Sequence, residues 1–365
     1  MKIKSHLKNL TPYPPGKTLE ELCREFKISG PIYKFNSNEN PLGPSPKVIE
    51  IIKKHLPEIH LYPDASYIEL RKAIAKIWNV LPEQIIVGNG SDEVIEFVFK
   101  AMINPGDEII ISKPSFLMYK VFGEIYGADI KYIPLNRNLQ HNLKKILQNI
   151  SSKTKVIFLD HPHNPTGSAI KREMWEEFFS QIDSEILVVI DEAYGDFIDD
   201  KDIPLGIEFL KKGYTVLILR TFSKAYGLAG LRLGYGITFL EFAKILDSVR
   251  QAFNINILAV KAGLAVLNDK EYIQKTIEIV KKGRVYLTQK LKELGIKVFP
   301  SQANFVMADF GEKAEEIYNQ LLKQGILVRP LKAYGYPNYL RISIGLPEEN
   351  EVLIKKLKSF LSKNF

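Results

Sequence analysis

The sequence predicts an α/β protein with two parts: a large domain whose mostly parallel central sheet is flanked by helices, and a smaller α+β domain. Short apolar runs alternate with amphipathic helical patterns through the centre of the chain, and several runs are almost continuously apolar. Such runs are typical of parallel strands that are covered on both faces. After about residue 240 the rhythm changes to long helices and a short mixed tail, and 365 residues are many for one core.

The elements of the large domain follow one another in a regular order. The predicted strands are 84–88, 108–112, 129–134, 155–160, 186–191, 215–220 and 231–236. Helical patterns such as SDEVIEFVFKAMI and KREMWEEFFSQI separate them, as expected when consecutive strands run parallel. We expect residues 31–250 to form the large domain and residues 251–365 the small domain, with residues 1–30 packing against the small domain.

Composition restricts the class of protein. No stretch approaches the roughly 18–20 apolar residues that cross a bilayer, so no membrane partner is expected. The N-terminus has prolines where a signal peptide needs an apolar run. The single cysteine, Cys23, excludes an intramolecular disulfide. We therefore expect a cytoplasmic protein.

The net charge of +8 raises the question of nucleic-acid binding. Lysines alternate with glutamates in patterns such as EEIYNQLLK, which are typical of solvated helix faces. The chain has no helix-turn-helix signature, no zinc-ligand spacing and no basic arm. No nucleic-acid partner is therefore expected. Arginines are scarce, ten among fifty cations, so their positions are informative.

Unusual residues follow several predicted strands, at the sheet edge where ligands bind in α/β proteins. After 84–88 a turn at Gly90 leads into a helix that opens with Ser91 and Asp92. Exposed N–H groups at a helix N-terminus bind anions. The alternative is that Ser91 or Asp92 simply caps the helix.

Two further strand ends carry polar side chains. HPHNPTG, residues 161–167, follows 155–160 and predicts a rigid turn that presents the amide of Asn164, although alone it indicates only a turn. The buried strand 186–191 ends in Asp191. A carboxylate there is costly unless a cation pairs with it, and a helix cap or a structural ion pair is the alternative.

The stretch TFSKAYGLAGLRLGYG places Thr221, Ser223, Lys224 and Arg232 around glycines that allow a ligand to approach the backbone. A lysine among small residues is commonly a desolvated, reactive amine, because burial lowers its pKa. Pyridoxal 5′-phosphate (PLP) requires a lysine, an aspartate, an amide and an anion-binding helix N-terminus, and the sequence places all four at one sheet edge. The lysine forms a Schiff base, and the aspartate keeps the pyridine nitrogen protonated.

Other cofactors are not expected. The six histidines show no metal-ligand spacing beyond the HPH pair, so we expect no metal. A dinucleotide is also excluded, because no GxGxxG opens the first strand–helix–strand unit.

The motifs resemble those of a known family. TFSKAYGLAG fits the lysine-attachment pattern of class-II aminotransferases, and the order NPTG, DEAY, TFSK, GLRLGYG is that of fold-type-I PLP enzymes. LTPYPPGKTLEELCREF, NSNENPLGPSPKVIE, HLYPD, GNGSDEVIEF and GILVRPLKAYGYPNYLRISIG resemble the histidinol-phosphate aminotransferase family over nearly the whole chain. The resemblance implies a fold-type-I PLP transferase of histidine biosynthesis. It would transfer an amino group between glutamate (giving 2-oxoglutarate) and imidazole-acetol phosphate (giving histidinol phosphate).

The resemblance also implies roles for individual residues. Lys224 would carry the cofactor and act as the acid/base, and Asp191 would pair with the pyridine nitrogen. Tyr194 and Asn164 would hydrogen-bond the ring oxygen O3′. The phosphate would be cradled behind the Gly90 turn by Ser91, Asp92, Thr221, Ser223 and Arg232. Tyr62 would reach the phosphate in the neighbouring subunit, which implies a homodimer.

Substrate contacts and two departures from the family pattern complete the expectation. The implied substrate-binding residues are Tyr13, Asn40, Asn164, Arg329 and Arg341. Arg341 would hold the α-carboxylate of glutamate, and Arg329 with Tyr13 would help to hold the substrate phosphate. Phe116 stands where the family usually stacks a tyrosine, which keeps the aromatic face and loses a hydroxyl. His161 and His163 stand where the family more often has asparagine or another small residue, and we interpret them as loop packing.

Alternatives remain at the sequence level. An aromatic amino acid aminotransferase or another phospho-amine aminotransferase would use the same fold. A phosphothreonine-type PLP decarboxylase is a close relative, although Glu39 in NSNENP favours transamination. A PLP-fold transcription regulator would need a DNA-binding domain, for which the roughly 30 residues before NSNEN are too few.

Overall fold

The structure, a computed structural model, describes residues 3–8, 10, 19–26, 28 and 30–362. The strands are β1 Tyr33–Phe35, β2 Ile85–Gly88, β3 Glu108–Lys113, β4 Asp129–Pro134, β5 Thr154–Asp160, β6 Leu187–Asp191, β7 Val216–Thr221, β8 Gly234–Ile237, β9 Lys297–Val298, β10 Phe305–Asp309, β11 Ile326–Pro330 and β12 Tyr339–Ser343. The helices are α1 Leu19–Phe26, α2 Pro46–His55, α3 Ile68–Trp78, α4 Ser91–Met102, α5 Leu117–Tyr126, α6 Leu143–Leu147, α7 Arg172–Phe179, α8 Gly206–Lys211, α9 Leu240–Val249, α10 Ile257–Leu267, α11 Lys270–Glu293, α12 Ala314–Lys323 and α13 Pro347–Leu361. Among the described residues, no helix combines the length and apolar character of a membrane span.

The large sheet has seven strands in the order β2-β8-β7-β6-β5-β3-β4. Only β8 runs against its neighbours, so the prediction of a mostly parallel sheet is confirmed. The strand predicted at 231–236 begins later, at Gly234. Ala229–Leu231 form a 3₁₀ turn and Arg232 takes a left-handed conformation with φ 54°, so the chain enters the sheet only after this corner.

The sheet separates two hydrophobic cores, and the side-chain alternation of the central strands explains why. In β6, Leu187 and Val189 face a core shared with α4, α5 and α9. Val188 and Ile190 face the other core, which includes residues of α3, α7, α8 and α10. Because successive side chains of a strand point to opposite faces, a nearly continuous apolar run is buried on both sides. The strand ends are thereby held rigidly at the sheet edge.

The second sheet has five strands in the order β1-β11-β12-β10-β9. Residues 33–35 pair in parallel with β11, so this short piece of the predicted large domain belongs to the smaller sheet. At the N-terminus, the Nε2 of His6 donates to the carbonyl of Ile125 in α5 at 3.1 Å, so residues 5–7 lie against the helices of the large sheet. The domain limits at residues 30 and 250 stay a prediction.

A buried charge cluster lies directly behind the end of β6. Arg220, at the end of β7 and 2% exposed, donates to the carboxylates of Glu192 at 3.1 Å and Asp196 at 2.5 Å. Its guanidinium also stacks over the ring of Trp78, 4.8 Å from the centroid. One buried cation thus balances two carboxylates on the segment that follows Asp191. The cluster anchors this segment.

We predict that Arg220→Ala lowers the free energy of unfolding by about 3–5 kcal/mol, because the buried carboxylate of Glu192 and the partly buried carboxylate of Asp196 lose their cation. Urea denaturation of the ligand-free protein measures it. The control is Arg172→Ala, which breaks a part-exposed pair with Glu208 at 2.6 Å and should cost much less, because solvent screens an exposed ion pair. Equal losses from the two variants would contradict the importance of the buried cluster.

Candidate active site

A cavity of about 290 Å³ opens at the carboxyl edge of the large sheet, where β5, β6 and β7 end and α4 begins. This is the edge at which α/β proteins bind ligands. Ten of the predicted cofactor-binding residues line it: Ser91, Asp92, Phe116, Asn164, Asp191, Tyr194, Thr221, Ser223, Lys224 and Arg232. Residues far apart in the sequence therefore meet at one place.

The N-terminus of α4 forms an anion cradle. The N-cap residue is Gly90, with φ 82°, and no side chain caps the helix, so the capping alternative for Ser91 and Asp92 does not hold. A Cβ on Gly90 would lie 2.6 Å from Nη2 of Arg232, and a Cβ on Gly234 would lie 2.3 Å from the backbone N of Ser91. Only glycines allow the guanidinium and the exposed N–H groups to come this close, an arrangement that favours a phosphate.

Lys224 lies partly buried in the cavity. Its Nζ donates to the backbone carbonyl of Ser37 at 3.0 Å and lies 5.8 Å from the ring centroid of Tyr194. Burial lowers the pKa of Lys224 to about 8, and the positive charge of Arg341 adds to the effect. A larger fraction of this amine is therefore neutral near pH 7 than for an ordinary lysine, as a nucleophile or general base requires.

Asp191 is buried beside Lys224 without a cationic partner. Its carboxylate accepts hydrogen bonds from the hydroxyl of Tyr119 at 2.8 Å and the backbone N–H of Ala193 at 3.0 Å. It forms no salt bridge to any described lysine or arginine. Burial raises the pKa of Asp191 to about 7, and nearby Asp160 adds to the rise. The structural ion pair considered from sequence is therefore absent, and the carboxylate is complementary to a ligand cation.

Tyr119 and Asp160 are site residues that the sequence does not single out. Tyr119 lies in the first turn of α5, three positions after Phe116. This helical spacing could have indicated that Tyr119 lies on the same side as Phe116. Asp160 ends β5 and is paired in register with Asp191 at the end of β6. Its position at the end of a strand could have indicated that Asp160 belongs to the site.

Tyr194, Asn164 and Arg341 form the wall toward the smaller sheet. The amide of Asn38 donates to the hydroxyl of Tyr194 at 3.0 Å, and burial raises the pKa of Tyr194 to about 12, so this hydroxyl stays protonated. Arg341 donates to Oδ1 of Asn164 and to the carbonyl of Asn36, both at 2.6 Å. Its guanidinium is buried, and its Nε has no partner among the described residues.

Arg329 faces Arg341 across strands β11 and β12. Both line an adjoining cavity of about 570 Å³, which shares Phe116, Asn164 and Lys224 with the first. Neither arginine forms a salt bridge within the described part of the chain. Two like charges directly opposite each other destabilise a strand pair. An anionic ligand between them would remove this repulsion.

Two predicted residues, Asn40 and Tyr62, do not line the cavity, and a third is not described. Asn40 donates to the carbonyl of Ala225 at 3.0 Å and so fixes the backbone next to Lys224. Tyr62 is 80% exposed and stacks on Phe253 with 4.7 Å between centroids. Tyr13 lies outside the described residues.

Comparison with known proteins places this geometry in a family. Residues 31–357 match the family described as aminotransferase class I and II. The chain therefore belongs to the class I and II aminotransferases, which are PLP-dependent enzymes.

Individual relatives are more specific. The chain is 42% identical to a histidinol-phosphate aminotransferase of Desulfotalea psychrophila, over 99% of this chain and 96% of that protein. The histidinol-phosphate aminotransferase of Sinorhizobium meliloti, solved in complex with PLP, superposes with a TM-score of 0.90 at 25% identity over 100% of this chain and 98% of that one. An L-threonine-O-3-phosphate decarboxylase of Porphyromonas gingivalis, at 23% identity and a TM-score of 0.79, covers 91% of this chain and 100% of its own, and is similar in fold alone.

We predict that Lys224 of the ligand-free protein reacts with an amine-selective reagent at a lower pH than an ordinary lysine does. Its pKa of about 8 compares with about 10.4 for a free lysine side chain. The modification rate should therefore rise with pH and level off above about pH 8. Mass spectrometry of the digested protein follows Lys224, and a lysine-containing peptide is the control. A rate that rises in parallel with that of the peptide would contradict the lowered pKa.

Proposed function

We propose that this protein is a histidinol-phosphate aminotransferase, which uses PLP to transfer an amino group between glutamate and imidazole-acetol phosphate. The observation that supports it most is the meeting, in one cavity, of a lysine of lowered pKa, a buried carboxylate without a cation and an uncapped helix N-terminus. These features match a lysine-linked aromatic cofactor with a ring nitrogen and a phosphate. The identity to curated relatives of this description supports the substrate.

The charges of the cavity fit PLP part by part. Asp191 has no cationic partner among the residues that the structure describes, and a protonated ring nitrogen would supply one. The start of α4 and Arg232 would hold the phosphate, together with the hydroxyls of Ser91, Thr221 and Ser223 and the N-terminal backbone at Asp92. Phe116 would cover one face of the ring. When bound, PLP supplies an aldehyde that takes up an amino group and a ring that accepts electrons from the substrate's α-carbon.

The protein's own groups then handle orientation and protons. Lys224 would hold the cofactor covalently until the incoming amine displaces it. Its freed, neutral Nζ would then accept the proton from the α-carbon of the amine substrate and donate it to the carbon that carried the aldehyde. The protonated hydroxyl of Tyr194 and the amide of Asn164 are donors for the cofactor's ring oxygen. Tyr119 fixes the carboxylate of Asp191, which keeps the ring nitrogen protonated.

The two arginines define the substrate class. Arg341 offers a bidentate grip for the α-carboxylate of glutamate. Arg329, with Tyr13, contributes to binding the phosphate of histidinol phosphate in the same basic site. A substrate must therefore carry an anionic group at a distance from its amine. Phenylalanine and tyrosine lack such a group on the side chain, which favours the phosphorylated substrate over an aromatic amino acid.

A second copy of the chain completes the proposed site. Tyr62 is exposed and lies outside the cavity of its own chain. In a homodimer it would contact the phosphate in the neighbouring subunit.

We predict that Arg329→Gln lowers kcat/KM for histidinol phosphate about ten- to a hundred-fold, mainly through KM, because a charged hydrogen bond to the phosphate is lost. Activity toward phenylalanine should change much less. The assay measures both substrates with 2-oxoglutarate, and Lys224→Ala, which should be inactive, gives the background.

The control for this experiment is Lys332→Gln, which removes an exposed cation paired with Glu315 at 3.0 Å. It should leave both activities near those of the wild type. If Arg329→Gln lowers kcat/KM equally for the two substrates, Arg329 does not bind the phosphate. Wild-type protein that converts phenylalanine as well as histidinol phosphate would overturn the proposed function itself.

A further inference from the structure

A buried cluster behind the cavity joins two loops that carry proposed cofactor contacts. Loop 114–116 ends in Phe116, and loop 161–167, which follows Asp160, contains Asn164. We propose that Asp160 and His163 are positioning residues that fasten these two loops to each other and thereby set the spacing between Phe116 and Asn164 for the cofactor. The inference rests on the proposed function for the identity of that cofactor.

Asp160 makes the first connection. It is 2% exposed, and its Oδ2 accepts the backbone N–H of Asn164 at 2.6 Å. Its Oδ1 accepts the hydroxyl of Ser115, the residue before Phe116, at 3.1 Å. One carboxylate therefore holds one donor from each loop.

His163 makes the second connection. Its Nε2 lies 3.0 Å from the carbonyl of Pro114, which can only accept, so Nε2 carries the proton and donates. Its Nδ1 then accepts from the hydroxyl of Thr166 at 2.8 Å. Burial lowers the pKa of His163 to about 4, so the ring is neutral near pH 7 and keeps this tautomer. His163 directly precedes Asn164 and reaches the residue two positions before Phe116.

His141 closes the cluster from a third segment. Its Nε2 donates to the backbone carbonyl of Asp160 at 2.8 Å, and its Nδ1 pairs with the hydroxyl of Ser112 at 2.6 Å. The ring packs edge-on against His163, with 4.8 Å between centroids. The backbone of Asp160 is thus held at the end of its strand while its carboxylate holds the loops.

The cost of burying Asp160 makes the arrangement specific. Among the described residues no lysine or arginine pairs with it, and the neutral rings of His141 and His163 leave its charge uncompensated. A buried carboxylate is stable only when donors satisfy its oxygens. Because one donor comes from each loop, the cost is offset only when both loops are in place. The cluster therefore favours a single loop arrangement.

A metal site is the competing explanation for the same residues. Ligand atoms of His141, Asp160 and His163 lie within 4.8 Å of one another. However, the Nε2 atoms that lie nearest the carboxylate carry protons and donate to backbone carbonyls, so they have no lone pair for a metal. The hydrogen bonds therefore favour a connection between the two loops that contains no metal.

The test uses a matched pair of variants at position 163. His163→Gln keeps an N–H at the reach of Nε2, whereas His163→Asn reaches only as far as Nδ1 and loses the donor to Pro114. Absorbance titration of the purified protein measures the dissociation constant for PLP, and steady-state assays separate kcat from KM. We expect PLP to bind about five-fold more weakly to His163→Asn, because one hydrogen bond is lost. His163→Gln should bind near the wild-type level.

Further variants test the two loops and the role of packing. Asp160→Asn should weaken PLP binding about ten-fold, because a charged acceptor is lost. Ser115→Ala, which removes a donor from a part-exposed side chain, should weaken it about three-fold. The control is His161→Asn on the same loop. His161 is buried edge-on against Trp175, with 5.3 Å between centroids, and among the described contacts its ring accepts from the backbone N–H of Ile170 rather than bonding to loop 114–116. It should bind PLP as the wild type does.

The outcomes separate the possible explanations. If PLP binding is weakened equally in His163→Asn and His163→Gln, packing rather than the hydrogen bond to Pro114 matters, and the inference is overturned. Equal weakening of PLP binding in His161→Asn and His163→Asn would overturn it for the same reason. Stoichiometric zinc in the purified wild type that is lost in His163→Asn would overturn it in favour of a metal site. Wild-type protein that fails to bind PLP would instead refute the proposed function, and the inference with it.

Discussion

The buried carboxylate of Asp191 is the constraint on which the rest of the site depends. It is fixed by Tyr119 and a backbone N–H but is paired with no cation among the described residues. Burial raises its pKa to about 7, against about 3.9 in an unfolded chain. Below about pH 4 the group is protonated in both states and costs nothing. As the pH rises toward 7 the unfolded state ionises first, and stability falls by about 4 kcal/mol.

The fold tolerates this cost because the surroundings are rigid. The strand that ends in Asp191 is buried between two cores. The segment that follows it is anchored by Arg220, and the loop beside it is held by Asp160. Arg329 and Arg341 are the cationic counterpart: they face each other, and neither forms a salt bridge to a carboxylate within the described part of the chain. The cavity thus holds uncompensated charges of both signs at fixed positions, an arrangement that is complementary to a zwitterionic cofactor and an anionic substrate.

Much of the fold and of the candidate site could be predicted from the sequence, because the carboxyl ends of parallel strands meet at one edge of a sheet. The strands, the anion cradle and the meeting of Lys224 with Asp191 follow from that rule and from local glycine chemistry. The later start of β8 could not be predicted, because it depends on the left-handed conformation of Arg232. The ring of His141 could not be predicted either, because only tertiary packing brings it to the carbonyl of Asp160. Asn40 shows the opposite case: it lies in a family-like motif, but its amide is used to fix the backbone beside Lys224.

The most direct test of the account is the free energy of unfolding of the wild type and of Asp191→Asn at neutral pH, each with and without PLP. Asparagine can still pair with Tyr119 and Ala193, so the variant mainly removes charge. Without PLP, Asp191→Asn should be at least as stable as the wild type, because the buried charge is gone. With PLP, the wild type should gain more stability than the variant, because the gain rises with the logarithm of the affinity for the ligand. A ligand-free Asp191→Asn that is clearly less stable, and that gains as much from PLP as the wild type does, would contradict the account.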